Sequence, residues 1–265
     1  MLNVIAAAAL ATASPVDAPP ADAAPALFEV RDADTTIYVF GTFHALDAKT
    51  RWFDDRVRNA FEQSGELVLE TVIPEQRAPM PPTPGFRPPS VTPSASFLAT
   101  TRMAISAGRS QGMQVDNGAD MVLRYAAEAQ GKPVEGLETL QFQLDMFNRM
   151  PPAVATASPA QLRTAEPTGE RQMQSLSKAM ADMQSAWKRG DQHVFVSMLE
   201  QLRASSPDTY RMMFTERNDR WADWIRARMQ TPGTVFVAVG AGHLAGPDSL
   251  LVRLAERGIP SRRVH

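Results

Sequence analysis

The feature that most constrains this fold is a short apolar strand that runs directly into a glycine-rich turn ending in histidine, and it occurs twice. Residues 235–239 are apolar and mostly β-branched, which predicts a buried strand, and Gly240-Ala-Gly-His243 follows. Residues 35–40 predict a second strand, which runs into Gly41-Thr-Phe-His44. The glycines let the backbone turn sharply and approach another group closely. Because the chain has only four histidines, two of them in one repeated pattern are the main functional clue.

Two further predicted strands end in a carboxylate. One is an apolar run that ends at Glu70, and the other is a short run that ends at Glu138. In open α/β sheets, ligands bind beyond the carboxyl ends of the strands. If the four strands are neighbours in one sheet, these carboxylates should meet His44 and His243 at one edge.

This set of side chains favours a metal site. Two imidazoles and one or two carboxylates are a normal ligand set for manganese, zinc, cobalt or iron. We predict that His44, Glu70 and His243 share one divalent ion, which would polarise a carbonyl or phosphoryl group of the substrate and lower the pKa of a bound water. Glu70 or Glu138 is then the candidate general base. The alternative is that each histidine is a hydrogen-bonded residue at a strand end and each glutamate is a solvated terminus.

Arg217 lies in an apolar helical stripe, between Phe214 and Trp221. A buried guanidinium without an anionic partner is very costly. We therefore predict that Arg217 pairs with Glu70 or Glu138 at the floor of the histidine site, as a third catalytic candidate that orients a carboxylate or stabilises a developing anion. The alternative is an arginine whose stem covers the core while its head reaches water.

A competing motif overlaps the second histidine turn. Gly240-x-Gly242-x-x-x-Gly246 after a strand is similar to a dinucleotide-binding turn. That motif needs a βαβ unit and an acidic residue about 20 residues further on, whereas 19 residues follow Gly246. We therefore do not expect a nucleotide cofactor.

Composition narrows the function classes. The net charge of −2 and the isoelectric point of about 6.1 give no indication of a nucleic-acid partner, so a peptide or small-molecule substrate is expected. The absence of cysteine excludes disulfides, thiol catalysis and cysteine-ligated metals. Residues 1–25 are rich in alanine and proline and predict a secretory signal, hence a periplasmic or secreted protein, although a disordered arm is the alternative. No later stretch approaches the ~20 apolar residues of a membrane span.

The order of predicted elements indicates an α/β fold, in which a central mixed β-sheet carries flanking helices. We expect one domain over residues 26–265, with a helical insertion over about 165–230. The proline-rich segment 74–93 is incompatible with a regular helix or a central strand, which predicts a solvated loop or a flap over the site. Asn117 is the predicted N-cap of a helix that ends at Gln130.

These pieces together resemble the TraB/GumN family, which they match in order over about residues 27–265. The matching segments are Tyr38-Val-Phe-Gly-Thr-Phe-His44, Glu66-Leu-Val-Leu-Glu70, Gly131-Lys-Pro-Val-Glu-Gly-Leu-Glu138, Glu216-Arg217-Asn218 and Val239-Gly-Ala-Gly-His-Leu-Ala-Gly246. That family includes the TIKI proteins, described as metal-dependent proteases acting on Wnt ligands, and is grouped with erythromycin-esterase-like and ChaN-like proteins. The resemblance implies functional roles for His44, Glu70 and His243, and supporting roles for Glu138, Arg217, Asn218, Gly41, Gly240 and Gly242.

The predicted function is therefore an exported metal-dependent hydrolase, with a peptidase as one candidate. A second hypothesis is a non-catalytic protein that binds a ligand or a haem-like cofactor in the same groove. A third is an accessory protein of envelope or polysaccharide export.

Overall fold

A computed structural model describes residues 23–72, 105–149 and 169–265, without the side chains of 169–173. The greater part of the predicted secretory signal and the whole proline-rich segment lie outside the described residues. No helix in the described ranges is long and apolar enough to cross a membrane.

Six of the eight strands in these ranges form one mixed sheet, as predicted. In chain order the strands are β1 (Leu27–Arg31), β2 (Thr35–Thr42), β3 (Leu46–Asp47), β4 (Glu66–Thr71), β5 (Met113–Gln114), β6 (Val134–Glu138), β7 (Gly233–Gly240) and β8 (Arg262–Arg263). The sheet has the order β6-β4-β7-β2-β1-β8, and β3 pairs separately with β5. Strands β6, β4, β7 and β2 are parallel, whereas β1 pairs antiparallel with both of its neighbours.

Helices cover both faces of this sheet and dominate the second half of the described chain. They are α1 (Asp55–Gln63), α2 (Ala119–Ala129), α3 (Leu140–Arg149), α4 (Gly169–Lys188), α5 (His193–Ser205), α6 (Pro207–Tyr210), α7 (Glu216–Arg228) and α8 (Leu250–Glu256). Residues 105–109 are also helical. A π-helical segment, Arg211–Thr215, joins α6 to α7, and a 3-10 turn, Ala241–Leu244, follows β7.

The central strands are buried on both faces, which explains why their sequences are continuous apolar runs. Successive side chains of a strand point to opposite faces, so neighbours such as Val39 and Phe40 enter different cores. One core contains Phe40, Leu67, Phe236, Phe61 of α1 and Leu123 of α2. The other contains Val39, Val68, Val237, Trp221 and Ile225 of α7, and Leu254 of α8.

Trp187 of α4 anchors the helical half to the end of β2. Its side chain is 2% exposed and packs against the rings of Phe40, Phe43 and Trp52. The indole Nε1 donates a hydrogen bond to the carbonyl oxygen of Gly41 at 2.7 Å. This contact holds the last turn of α4 against the strand end that leads to His44.

The start of α2 differs from the prediction, because Gly118 and not Asn117 is the N-cap. A Cβ at residue 118 would overlap the backbone carbonyl of His44. The amide of Ala119 donates to the carbonyl of Phe43 at 3.0 Å. The prediction of Asn117 as the N-cap was therefore wrong. The close approach of the His44 loop, and not the capping chemistry of a side chain, explains the glycine at residue 118.

The chain after β7 does not form the βαβ unit of a dinucleotide-binding turn. The 3-10 turn and α8 lead to β8, which pairs antiparallel with β1 at the far edge of the sheet. A dinucleotide-binding unit would instead continue into a strand parallel to β7.

Candidate functional site

The site lies beyond the carboxyl ends of four adjacent parallel strands. His44 follows β2 by two residues, Glu70 is the penultimate residue of β4, Glu138 ends β6, and His243 follows β7 by three residues. Because β6, β4, β7 and β2 are consecutive in the sheet, the structure brings all four side chains together. His44, Glu70 and His243 form the floor of a pocket of about 570 Å³, and Glu138 lies behind this floor.

Gly240 lies at the centre of this floor. The point where its Cβ would stand is 3.1 Å from Glu70 Oε1, 3.7 Å from His44 Nε2 and 3.8 Å from His243 Cδ2. The Gly240 amide also donates to Glu70 Oε1 at 2.6 Å. Glycine therefore leaves open a small space, which we call the Gly240 cradle, bordered by all three predicted ligand residues.

The other two predicted glycines are packing positions. A Cβ on Gly41 would meet Leu244 Cδ1 at 3.2 Å, and a Cβ on Gly242 would meet the Phe214 ring at 3.3 Å. These separations are tighter than ordinary contacts, so a side chain at either position would force its neighbour to shift. Their effect on the site is to set the path of the histidine turns.

His243 is buried and held in one tautomer. Its Nδ1 lies 2.7 Å from Asn218 Oδ1, and Asn218 Nδ2 donates to the backbone oxygen of Asp248 at 2.7 Å. Asn218 thus presents its oxygen to the ring, which assigns the proton to Nδ1 and leaves a lone pair on Nε2. Burial lowers the pKa of His243 to about 3, so the ring is neutral at neutral pH.

The π-helical segment packs against this ring. Phe214 lies 4.9 Å from His243 between ring centroids, and Trp221 lies 4.4 Å from it. Single π-helical turns are rare and often occur at functional sites. Here the segment places both the Phe214 ring and the carbonyl of Met213, which accepts from Arg217 Nη1 at 3.4 Å.

His44 is the open member of the set, since its side chain is 64% exposed. Its Nδ1 lies 3.2 Å from Asp120 Oδ1, at the start of α2. The protein around the ring partly desolvates it, which acts to lower the pKa of His44, but the carboxylates of Asp120 and Glu70 outweigh this effect and raise the pKa to about 9. The exposed ring therefore carries a proton at neutral pH, in surroundings that favour a positive charge.

Sequence reasoning missed Asp120. The only available signal was an acidic residue in the first turn of a predicted helix, which is ordinarily explained by the helix dipole. Its role as the partner of His44 depends on the contact between the start of α2 and the His44 loop.

Arg217 makes the contacts predicted for it, with both carboxylates at once. Its Nε lies 3.0 Å from both oxygens of Glu138, and its Nη2 donates to Glu70 Oε2 at 2.7 Å. Its Nη1 lies 3.1 Å from His243 Nε2, and the guanidinium stacks 4.6 Å over the Trp221 ring. With 4% of its surface exposed, Arg217 does not reach bulk water, which overturns the alternative of a head in solvent.

Glu70 is consequently a fixed anion. Burial acts to raise the pKa of Glu70, but the His243 imidazole, the Arg217 guanidinium and the Gly240 amide lower it to about 2. Because His243 is itself neutral at neutral pH, the positive charges that act on Glu70 there are those of Arg217 and His44.

The pocket above the floor is mainly apolar. Its walls include Phe43, Leu140, Phe147, Phe195, Met198 and Phe214. A concave apolar surface with a few converging polar groups is the usual form of a ligand or active site. A second pocket, of about 500 Å³ beside Trp52, contains none of the strand-end residues.

The donor set fits a divalent ion in kind, since two imidazoles and a carboxylate border the Gly240 cradle. Each histidine presents its Nδ1 to an oxygen, as metal-bound histidines do, and His243 Nε2 lies 3.8 Å from Glu70 Oε1. Within the described ranges, however, no three acidic or imidazole side chains are already set around a common point. The opposing contact is that of Arg217 Nη1 with His243 Nε2, which an ion would have to replace.

Substitution of Gly118 should show how far the site depends on the close approach of α2. Gly118→Ala is expected to lower the free energy of unfolding by about 1–3 kcal/mol, because the methyl group overlaps the His44 carbonyl. Urea denaturation measures the change. Gly65→Ala is the control, since its Cβ would meet only Thr234 O at 3.8 Å. Equal stability losses in the two variants would contradict the importance of this contact.

The fold and the site together define an α/β protein with a polar cluster at the carboxyl ends of its parallel strands. The family model described as the TraB/PrgY/gumN family matches residues 26–84 and 86–263. The chain belongs to this family. No curated protein and no solved structure matches it.

Proposed function

We propose that this chain is a metal-dependent hydrolase whose active site is the floor of the apolar pocket. The observation that supports this most is the arrangement around the Gly240 cradle. Two imidazoles whose Nδ1 atoms face oxygens and a carboxylate held by Arg217 border one small space. The apolar pocket above it has room for a substrate.

His44, Glu70 and His243 would hold the ion. When bound, the ion would supply a polarised substrate carbonyl and a water of lowered pKa. The other residues orient these ligands: Asn218 sets the tautomer of His243, and Asp120 faces His44 Nδ1.

Arg217 and Glu138 act behind the ligands. Both Glu138 oxygens face the Arg217 guanidinium, and the carboxylate side chain is 4% exposed. This pairing favours a positioning role for Glu138 over the role of general base. Arg217 in turn holds Glu70, and it keeps both carboxylate contacts if its Nη1 gives up His243.

Metal binding should stabilise the fold, because the ligands come from strand ends far apart in sequence. Zn²⁺ or Mn²⁺ at one hundred times Kd, added to chelator-treated protein without a histidine tag, should raise the unfolding free energy by about 2.7 kcal/mol. The rise in melting temperature should disappear in His243→Ala and persist in His193→Ala, at the start of α5. An equal rise in both variants would exclude His243 as a ligand.

Hydrolysis itself is tested with chromogenic esters and blocked peptides in the presence of the ion that binds. Turnover should require the ion and should be lost in Glu70→Gln, which keeps the shape of the side chain and removes its charge. Turnover that survives complete removal of metal would contradict the metal-dependent reaction.

A non-catalytic binding protein is the second candidate. Arg217 is already paired with both Glu70 and Glu138 in the floor of the pocket. This pairing favours a binding protein without catalysis. A protein that binds ligands in the pocket and hydrolyses none, with or without metal, would establish this second function.

We also propose that the protein is exported, on the basis of the alanine-rich segment in residues 1–25 and the absence of cysteine. Cell fractionation followed by N-terminal sequencing of the purified protein tests this. Recovery of uncleaved protein from the cytoplasm alone would contradict it.

A further inference from the structure

The wall of the site pocket is built mainly from helices that present apolar side chains. Four helical segments contribute to it, namely α3, α4, α5 and the π-helical segment. Their apolar side chains on the wall include Leu140, Phe147, Met180, Phe195, Met198 and Phe214. Among the described residues that these four segments place on the wall, Gln143 is the single polar one. The polar groups of the pocket are therefore concentrated on the floor, at the strand ends.

The backbone of this wall offers few hydrogen bonds to a ligand. Met180 and Met198 lie in the interiors of α4 and α5, where each N–H and C=O group is bonded within the helix. The carbonyl of Met213, in the π-helical segment, accepts a hydrogen bond from Arg217. A ligand against the wall therefore meets side chains and almost no free backbone.

Two hydroxyl groups do not change this picture. Thr42 and Thr71 line the pocket, but their Oγ1 atoms are buried and have no partner among the described residues. A ligand in the pocket cannot reach those oxygens. A ligand with polar groups along its length would thus leave them unsatisfied against the wall, and a buried polar group without a partner is costly. A peptide carries two such backbone groups per residue, whereas a hydrocarbon chain carries none.

We infer that the pocket takes the hydrocarbon chain of an acyl ester, with the ester carbonyl on the floor beside the Gly240 cradle. The volume of about 570 Å³ is in the usual range for pockets that enclose small ligands. Met180, Met198 and Met213 suit a flexible chain, because unbranched methionine side chains adapt to irregular apolar shapes. This inference rests on the proposed function, since it names the substrate class of the same site.

The reaction would separate the chain from its alcohol. The bond between the carbonyl carbon and the alkoxy oxygen breaks, and water supplies the oxygen that joins the carbonyl carbon and the proton that leaves with the alcohol. The carbonyl end lies near His44 and Glu70, which border the Gly240 cradle. The wall acts on the other end of the substrate, so chain length should control binding separately from the chemical step.

Binding is tested with alkyl methyl ketones, which have the shape of methyl esters and cannot be hydrolysed. Calorimetry with the butyl, hexyl and octyl ketones should show a Kd that falls about 3–4-fold for each added methylene group. Affinity that does not depend on chain length would overturn the acyl pocket, even if the protein hydrolyses short esters.

Two methionine variants show whether the chain lies against this wall. Met198→Gln keeps the length of the side chain and makes it polar, and it should weaken binding of the octyl ketone by about 3–10-fold. Met212→Gln is the matched control, because Met212 is also half-buried but lines a different pocket, of about 270 Å³. Thermal unfolding checks that both variants are folded. Equal weakening in the two variants would place the chain elsewhere and overturn the inference.

Kinetics separate this inference from the proposed function. In the presence of the ion that binds, nitrophenyl octanoate should have a kcat/KM about 100-fold or more above that of nitrophenyl acetate. A blocked peptide cleaved with a higher kcat/KM than the octanoate would overturn the acyl class and keep the hydrolase. Ketone binding that depends on chain length and on Met198, without hydrolysis of any substrate, would leave the acyl pocket standing and refute the hydrolase.

Discussion

Replacement of Arg217 by leucine should lower the free energy of unfolding by about 3–5 kcal/mol, because it removes the shared partner of two buried carboxylates. Glu70 and Glu138 are 15% and 4% exposed at their side chains, and both lie within 3 Å of the guanidinium. Water cannot fully solvate the anions that remain. Urea denaturation at neutral pH measures the change.

Arg220 provides the control for this substitution. It lies on the same helix and contacts Glu138 Oε1 at 3.4 Å, but its side chain is 46% exposed. Because exposed ion pairs contribute only about 0–1 kcal/mol, Arg220→Leu should cost much less than Arg217→Leu. A similar loss in both variants would contradict the central place of Arg217.

The pH dependence of the Arg217 effect has a definite sign. Arg217 lowers the pKa of Glu70 towards 2, so its stabilising effect is present above the ordinary carboxyl pKa and is lost as the pH falls through the lowered one. In Arg217→Leu, Glu70 can instead take up a proton at a higher pH. The stability difference between wild type and variant should therefore shrink as the pH is lowered from neutral.

The second large effect is expected at Trp187, where replacement by alanine should cost about 3–5 kcal/mol. The indole fills the space between Phe40, Phe43 and Trp52, and alanine would leave a cavity there. The substitution also leaves the buried carbonyl of Gly41 without its donor. Thermal and urea denaturation measure the loss.

Two further variants separate the contributions. Trp187→Phe keeps an aromatic ring and removes the hydrogen bond to Gly41, so it should cost about 1–3 kcal/mol. Trp224→Ala makes the same substitution at a partly buried residue beside the other core and should cost less than Trp187→Ala. If Trp224→Ala were the more damaging, Trp187 would not be the anchor of the helical half.

The convergence of the site was predictable because it follows from the direction of the strands. Parallel neighbours in a sheet end at the same edge, so residues that follow them must meet there wherever they lie in the chain. His44 and His243 are about 200 residues apart in sequence and still border the same glycine. The pairing of Arg217 was predictable for a different reason, since a buried guanidinium must find an anion.

Other parts of the site depend on contacts between elements that no local pattern records. Asp120 faces His44 only because Gly118 lets α2 approach the His44 backbone. Because Asp120 lies at the start of a helix, the helix dipole already explains an acidic residue there. No local pattern therefore indicates its contact with His44.

The sequence by itself determined the buried parallel strands, the turns that follow them and the need of Arg217 for a carboxylate, because periodicity and the cost of burying charge act locally. Only the tertiary structure decided that Arg217 joins Glu70, Glu138 and His243, and that the hydroxyls of Thr42 and Thr71 have no partner among the described residues. Whether a polar atom is satisfied depends on every group that packs around it, and those groups come from strands and helices far apart in the chain.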